Sequence, residues 1–195
     1  TELSLDVEMR SRLLVIARRQ AQRMEALVAD LTDLSQIETG AIRLDRQEVD
    51  LSVVVSDLVQ QFARQAEERY VSFETKIPPS LMVHADRRRL EQILVNLIDN
   101  GLKFNRPGGL IKFEAQRGPN GVTLRVTDTG IGIPSDAAQD VFHRFFRVDA
   151  SRAGETPGTG LGLSIVKHLM RLHGGSVDLD SELGKGSTFT LYFPD

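Results

Sequence analysis

The sequence predicts an α+β sandwich, in which a mixed, largely antiparallel sheet packs on three helices, preceded by one long amphipathic helix. Three observations predict it. No Pro or Gly interrupts residues 6–38, and Leu13, Ala17, Gln20, Met24, Leu27, Leu31 and Leu34 recur at alternating spacings of four and three. After Gly40 the texture changes to short alternating segments interleaved with amphipathic ones. Gly118-Pro119-Asn120-Gly121 divides two alternating runs, and Asn-Gly is a strong hairpin signal.

The first helix carries Asp6 and Glu8 in its opening turn, where carboxylates suit the helix dipole, and Gly40 follows as its stop. At roughly 1.5 Å per residue it would be about 50 Å long, more than a globular helix needs. Leu14, Ile16 and Val28 widen its apolar stripe beyond a two-strand seam, so a helical bundle is the expected way to bury it. Next come short strands at Ile42, Leu44, Val49 and Leu51. A helix capped by Ser52 then runs to about Arg69, and a strand covers Val71 to Lys76. Val83 to Ala85 reads as a strand, and Arg87 to about Phe104 as a helix burying Leu90, Ile93, Leu94, Leu97 and Ile98. Strands follow at Leu110 to Gln116 and Val122 to Asp128, helical turns at 134–147, and a small polar loop at 151–160. A helix from Leu161 to His173 ends at Gly174-Gly175, and strands Ser176 to Asp180 and Ser187 to Phe193 close the chain.

Composition narrows the function classes. The 195 residues carry 24 Lys plus Arg against 27 Asp plus Glu, a balance without the basic excess of a nucleic-acid binder. With no Trp and two Tyr, a base-stacking platform is absent as well. No cysteine is present, which excludes disulfides, thiolate catalysis and thiolate zinc sites. No apolar run of about 18 residues and no export signal appear, so any membrane attachment is expected only through segments upstream of Thr1.

Three constellations carry chemistry. Asn96, Asn100 and Lys103 share one face of the 87–104 helix at spacings of four and three. Carboxamide oxygens are hard neutral ligands suited to Mg²⁺, and a lysine one turn on can meet the phosphates that Mg²⁺ bridges. Asp128-Thr129-Gly130-Ile131-Gly132-Ile133 ends a strand, where a carboxylate can accept from an exocyclic amine such as adenine N6 and glycines admit a ring close to the backbone. The same residues also suit a plain turn. Gly158-Thr159-Gly160-Leu161-Gly162-Leu163 precedes a helix, and its unpaired N–H groups can cradle phosphate. It is neither a Walker A loop nor a dinucleotide fingerprint, since no Gly-Lys-Ser/Thr follows and Leu163 stands where a third glycine belongs.

The order and spacing of these three, with Phe142-His143-Arg144-Phe145-Phe146-Arg147 between the second and third, resemble the sensor histidine kinases of two-component systems. Asn96 to Lys103 is similar to the N box, Asp128 to Gly132 to the G1 box, Phe142 to Arg147 to the F box and Gly158 to Gly162 to the G2 box. Gly184 to Phe189 resembles the closing glycine motif, and Arg23 through Gly40 the second helix of the dimerisation and phosphotransfer hairpin. The resemblance covers essentially the whole chain. It implies residues 1–40 as that hairpin helix and 41–195 as a catalytic ATP-binding domain with a Bergerat-type sandwich of the GHKL superfamily.

On the same footing it implies that Asn100 ligates Mg²⁺ with Asn96 helping, and that Lys103 contacts phosphate. Asp128 would read adenine, and Gly130, Gly132 and Ile133 would shape the base pocket. Arg147 would reach the γ-phosphate, and residues 134–159 would form a lid. Gly158, Thr159, Gly160, Leu161, Gly162, Ser187 and Thr188 complete the expected ATP contacts. The implied activity is transfer of the ATP γ-phosphoryl group to a histidine for relay to a response-regulator receiver domain. It also implies a homodimer through the hairpin helices, no nucleic acid, and a cytoplasmic location. Related ATPases such as gyrase and MutL carry a glutamate to activate water where Asn96 stands, and an amide is a poor base, which favours transfer over hydrolysis. A GHKL-type ATP hydrolase and a noncatalytic ATP-sensing pseudokinase are the alternatives.

Gly101 and Asn105 depart from the family's Ala and Ser/Thr. The phosphoacceptor motif is absent: His84, His143, His168 and His173 are the only histidines, none in that context. His168 and His173 fall late in a helix, where a partly charged imidazole would suit the dipole. The expectation is therefore a chain that begins between the two hairpin helices and does not phosphorylate itself.

Overall fold

The computed structural model describes residues 9–18, 20, 21, 24, 25, 28, 31, 32, 35, 43–148 and 159–195. The chain divides into two compact units, Thr1–Ala41 and Ile42–Asp195. In the first, every described residue is helical. Leu13, Leu14, Ile16, Met24, Val28 and Leu31 are all exposed. Leu27, Leu34 and the stop at Gly40 lie outside the described residues, as does Ile42.

The second unit runs β1 (Gln47–Asp50), α1 (Leu51–Glu68), β2 (Val71–Lys76), β3 (Met82–Ala85), α2 (Arg87–Lys103), β4 (Gly109–Gly118), β5 (Gly121–Asp128), a 3₁₀ turn at Asp140–Phe142, α3 (Gly162–Leu172), β6 (Ser176–Glu182) and β7 (Gly186–Pro194). β1 and β3 form a small antiparallel pair. The main sheet has the order β2-β4-β5-β7-β6, with β2 parallel to β4 and every other pair antiparallel. Period-2 alternation turns Ile111, Phe113, Leu124, Val126, Phe189, Leu191 and Phe193 to one face, where they are buried. The apolar stripes of the three helices, including Val54 and Leu58 of α1, Leu90 and Leu94 of α2 and Ile165 and Leu169 of α3, supply the other half of the core.

Several local expectations shift. Among the described residues 43–51 only Gln47–Asp50 are strand, and Leu51 opens α1. Asp50, not Ser52, caps that helix: its carboxylate accepts from the Ser52 N–H at 2.9 Å and from the Ser52 hydroxyl at 2.6 Å. The hairpin between β4 and β5 is closed by Pro119 and Asn120, because Gly118 and Gly121 already pair across the strands. Residues 134–147 hold a single 3₁₀ turn.

The histidines of α3 are corrected more sharply. His173 is buried, its Nδ1–H donates to the Leu169 carbonyl at 2.8 Å, and its Nε2 accepts from the Asp86 N–H at 3.1 Å. A ring nitrogen that accepts carries no proton, so this imidazole is neutral and does not serve the helix dipole as a cation. Burial, then the nearby Arg46 charge, holds it below the ordinary imidazole value. His168 is depressed too, by burial and by the charges of Arg171 and Arg144. The unfolded chain therefore binds more protons than the native one below about pH 6.5. Stability from His173 is complete above that pH and is lost as pH falls toward the depressed native value. Thermal melts should show a decline from about pH 7 to 5 that His173→Gln flattens; parallel profiles for the two proteins would contradict this.

Candidate functional site

Packing brings three of the sequence constellations to one end of the sheet. The amphipathic period of α2 buries Leu97, Ile98 and Gly101 and leaves Asn96, Asn100 and Lys103 half-buried on the remaining face. Gly101 explains how closely that helix approaches the sheet: a Cβ there would lie 2.9 Å from Ile111 Cδ1 and 3.7 Å from Asp128 Cβ. A Cβ on Gly162, the first residue of α3, would lie 2.9 Å from Asn96 Oδ1. Thus the α2 face meets both the end of β5 and the start of α3.

Asp128 ends β5 with its carboxylate on the core side. Gly130 N–H donates to Asp128 Oδ1 at 2.8 Å, and the Ser187 backbone N–H adds a second bond. Burial outweighs both donors and raises the carboxyl above the usual aspartate range. Beyond it, Gly130 and Gly132 are buried, and a Cβ on Gly132 would lie 2.0 Å from the Glu182 carbonyl oxygen. With φ at +69°, position 132 admits glycine alone without strain. Ile133 N–H donates to Ser181 Oγ at 2.8 Å, and that hydroxyl also contacts Gly186 O and Ser187 Oγ at 2.9 Å each. The G1 loop and the closing glycine turn are therefore fastened together around Asp128.

Opposite, the first residues of α3 have no side-chain cap; Thr159 Oγ1 accepts from Leu161 N–H at 3.1 Å, and Leu161 is fully buried. Among the described residues the first turn of α3 thus keeps N–H donors without a side-chain cap at its positive end, the Leu161 N–H excepted. Phe145 N–H donates to Gly160 O at 2.8 Å, joining the F box to the G2 loop. Phe142 meets Phe189 edge-on with ring centres 6.5 Å apart, and Lys167 Nζ sits 5.5 Å from the Phe142 ring centre. Arg147 follows in the same segment, half-buried.

Not every expected residue joins. Gly158 lies outside the described residues, as do the lid positions 149–157. Lys103 is ion-paired with Asp99 one turn back on its own helix, so a phosphate would compete with that carboxylate for it. Thr188 bonds Thr127 across the strands at 3.0 Å on the outer face of the sheet, opposite Asp128 and Ser187, because neighbours along a strand point to opposite faces. Ser181 and Arg106 escape the sequence reading. Ser181 carries a usable signal, as the polar end of the inward row Val177, Leu179, Ser181; an arginine before Pro107-Gly108 carries none.

The donor set suits a hard cation shared with a polyphosphate. Among the described residues the Asn96 and Asn100 carboxamides make no hydrogen bond to protein, and no group of three His, Cys, Asp or Glu could hold a metal alone. Two neutral oxygens fit Mg²⁺ of the kind that takes few protein ligands and completes its shell with phosphates.

Comparison with known proteins agrees with this geometry. The family described as "Histidine kinase-, DNA gyrase B-, and HSP90-like ATPase" matches residues 85–195, more than half of the chain, and the chain belongs to that family. Within it, the similarity is to the catalytic domains of sensor histidine kinases. The chain is 37% identical over 177 residues to the sensor-like histidine kinase SenX3 of Mycolicibacterium smegmatis, covering 90% of this chain and 46% of the relative. It thus spans less than half the length of each of these curated relatives, from 46% of SenX3 down to 23% of the histidine kinase CikA of Synechococcus elongatus. The Acinetobacter baumannii histidine kinase AdeS superposes with a TM-score of 0.77 at 27% identity, covering 90% of this chain and 80% of that one. Full-length ShkA in complex with AMPPNP superposes with a TM-score of 0.79 at 29% identity, covering 94% of this chain and 39% of that one. Among the described residues no helix is long and apolar enough to cross a membrane.

Proposed function

We propose that residues 42–195 bind Mg-ATP and transfer its γ-phosphoryl group to a histidine of a dimerisation hairpin, for relay to a response-regulator receiver domain. The observation that carries this reading is the convergence of the Asp128 carboxylate, the Asn96/Asn100 face and the uncapped start of α3 at one end of the sheet. Asp128 accepts the adenine amine from the wall formed by Gly130, Gly132 and Ile133. The phosphates run toward the N–H groups of Gly160 and Gly162, while the Leu161 N–H, donated to Thr159 Oγ1, holds that loop's turn. Mg²⁺, held by Asn100 with Asn96 beside it, supplies charge neutralisation when bound. Lys103, released from Asp99, and Arg147 add positive charge at the transferring group.

Asn96 shapes the outcome. Its carboxamide cannot take a proton from water, so the site positions a phosphoryl group without generating a hydrolytic nucleophile. That favours transfer over the ATPase chemistry that the family also includes.

Residues 1–40 are read as the second hairpin helix, whose exposed apolar stripe would be covered by hairpin helices in a homodimer. The cytoplasm, which supplies ATP and the receiver domain, is the compartment this reading requires. Titration calorimetry tests the site: Mg-ATP should bind saturably, and EDTA should weaken binding at least ten-fold. Failure to bind adenine nucleotide under either condition would refute the reading.

A further inference from the structure

The walls of the base pocket are closed into a ring of hydrogen bonds, and the side chain of Arg106 completes it. Phe104 O accepts from Ile131 N–H at 3.0 Å, and Ile131 O accepts from Gly184 N–H at 2.6 Å. Gly184 O accepts from Arg106 Nη2 at 3.0 Å, while Arg106 Nε donates to Thr129 O at 2.9 Å. One guanidinium thus spans the exit of α2, the G1 loop and the turn between β6 and β7. Its planar fork fixes the angle between its two acceptors, which a flexible ammonium cannot do. Asn105 secures the same corner from the inner side: its Oδ1 accepts from Arg106 N–H at 3.1 Å and from Thr129 Oγ1 at 3.3 Å. Thr129 Oγ1 in turn accepts from Leu110 N–H at 2.9 Å.

We propose that Arg106 is a positioning residue for base recognition, fastening the Thr129–Ile131 loop to the 183–186 turn so that the Asp128 carboxylate and the Gly132 backbone stay fixed against adenine. The proposal rests on the nucleotide reading above. It does not require Arg106 to touch the ligand. Arg106 is exposed, and an exposed hydrogen-bonded charge contributes little to global stability. Its two acceptors, however, are the backbone carbonyls of loops that flank the pocket, so its effect falls on ligand geometry. A carboxylate held in place rejects guanine, whose O6 is an acceptor where adenine presents a donor; a loosened carboxylate rejects it less.

The test compares the purified chain with Arg106→Met and Arg106→Lys, measuring affinity for Mg-ATP and Mg-GTP by calorimetry and the melting temperature without nucleotide. Arg106→Met is expected to weaken Mg-ATP about ten-fold and Mg-GTP less, narrowing the preference, with the nucleotide-free melt moved by no more than about 2 °C. Arg106→Lys, which can keep one of the two contacts, should fall between. Unchanged Mg-ATP affinity in Arg106→Met overturns the proposal. So does equal weakening of both nucleotides together with a lowered melt, which is the signature of general destabilisation. A wild-type chain that binds neither nucleotide overturns the underlying site reading as well, an outcome separable because it shows before any variant is made.

Discussion

Replacing Asn100 with alanine is expected to lower phosphoryl transfer to histidine by about a thousand-fold, equivalent to about 4 kcal/mol of transition-state stabilisation. The residue sits on the half-buried face of α2, and its carboxamide makes no protein hydrogen bond among the described residues, so no native bond is lost. Alanine is the better helix former by roughly half a kcal/mol, and the melting temperature should hold or rise slightly. A stable but inactive variant therefore separates loss of a ligand from loss of fold. Nucleotide affinity should fall much less than the rate, because Asp128 and the α3 N-terminus still hold the base and the phosphates. Transfer in Asn100→Ala within a few-fold of the wild-type rate would remove this residue from the site.

Asp128→Asn is expected to weaken ATP by ten- to a hundred-fold, the range for deleting a hydrogen bond to a charged acceptor. The change keeps size and an oxygen for the Gly130 N–H but gives up the ionised acceptor. Because burial raises the native carboxyl above its ordinary value, Asp128 contributes stability that is present at low pH and lost as pH rises through that raised value. The variant should accordingly melt no lower than wild type at neutral pH. Binding runs the opposite way. The adenine amine needs the carboxylate, so wild-type affinity should fall on acidification, starting above the pH where an ordinary aspartate titrates. Comparison with Asp128→Asn at each pH cancels the titration of the phosphates. An acid limb of equal steepness in both proteins would contradict the assignment of Asp128 to the base.

Much of this site is legible locally. The stripe of Leu90, Ile93, Leu94, Leu97 and Ile98 orients α2, and once that face is buried the spacing alone puts Asn96, Asn100 and Lys103 on the other side. Asp128 at a strand end and glycines before a helix follow from equally short-range signals. What escapes depends on partners distant in sequence. The parallel pairing of β2 with β4 comes from packing across α2, which no single segment encodes. His173 reads as an end-of-helix cation until Asp86, 87 residues away in sequence, presents an N–H that only a neutral ring can accept. Arg106 looks like an ordinary surface charge until Thr129 and Gly184 present their carbonyls to it. Thr188 is the opposite case: strand alternation already places it across the sheet from Ser187, but the glycine motif spans both residues and hides the distinction.

The most direct test of the account is phosphoryl transfer in trans. The chain would be mixed with labelled Mg-ATP and a partner of the same sequence, extended at its N-terminus by a histidine-bearing hairpin helix and carrying Asn100→Ala, which supplies an acceptor histidine but cannot use its own site. The account predicts acid-labile phosphate on that partner, none on the chain alone, and none when the chain itself carries Asn100→Ala. Nucleotide binding without any label on the partner, or label on a histidine of the isolated chain, would contradict it.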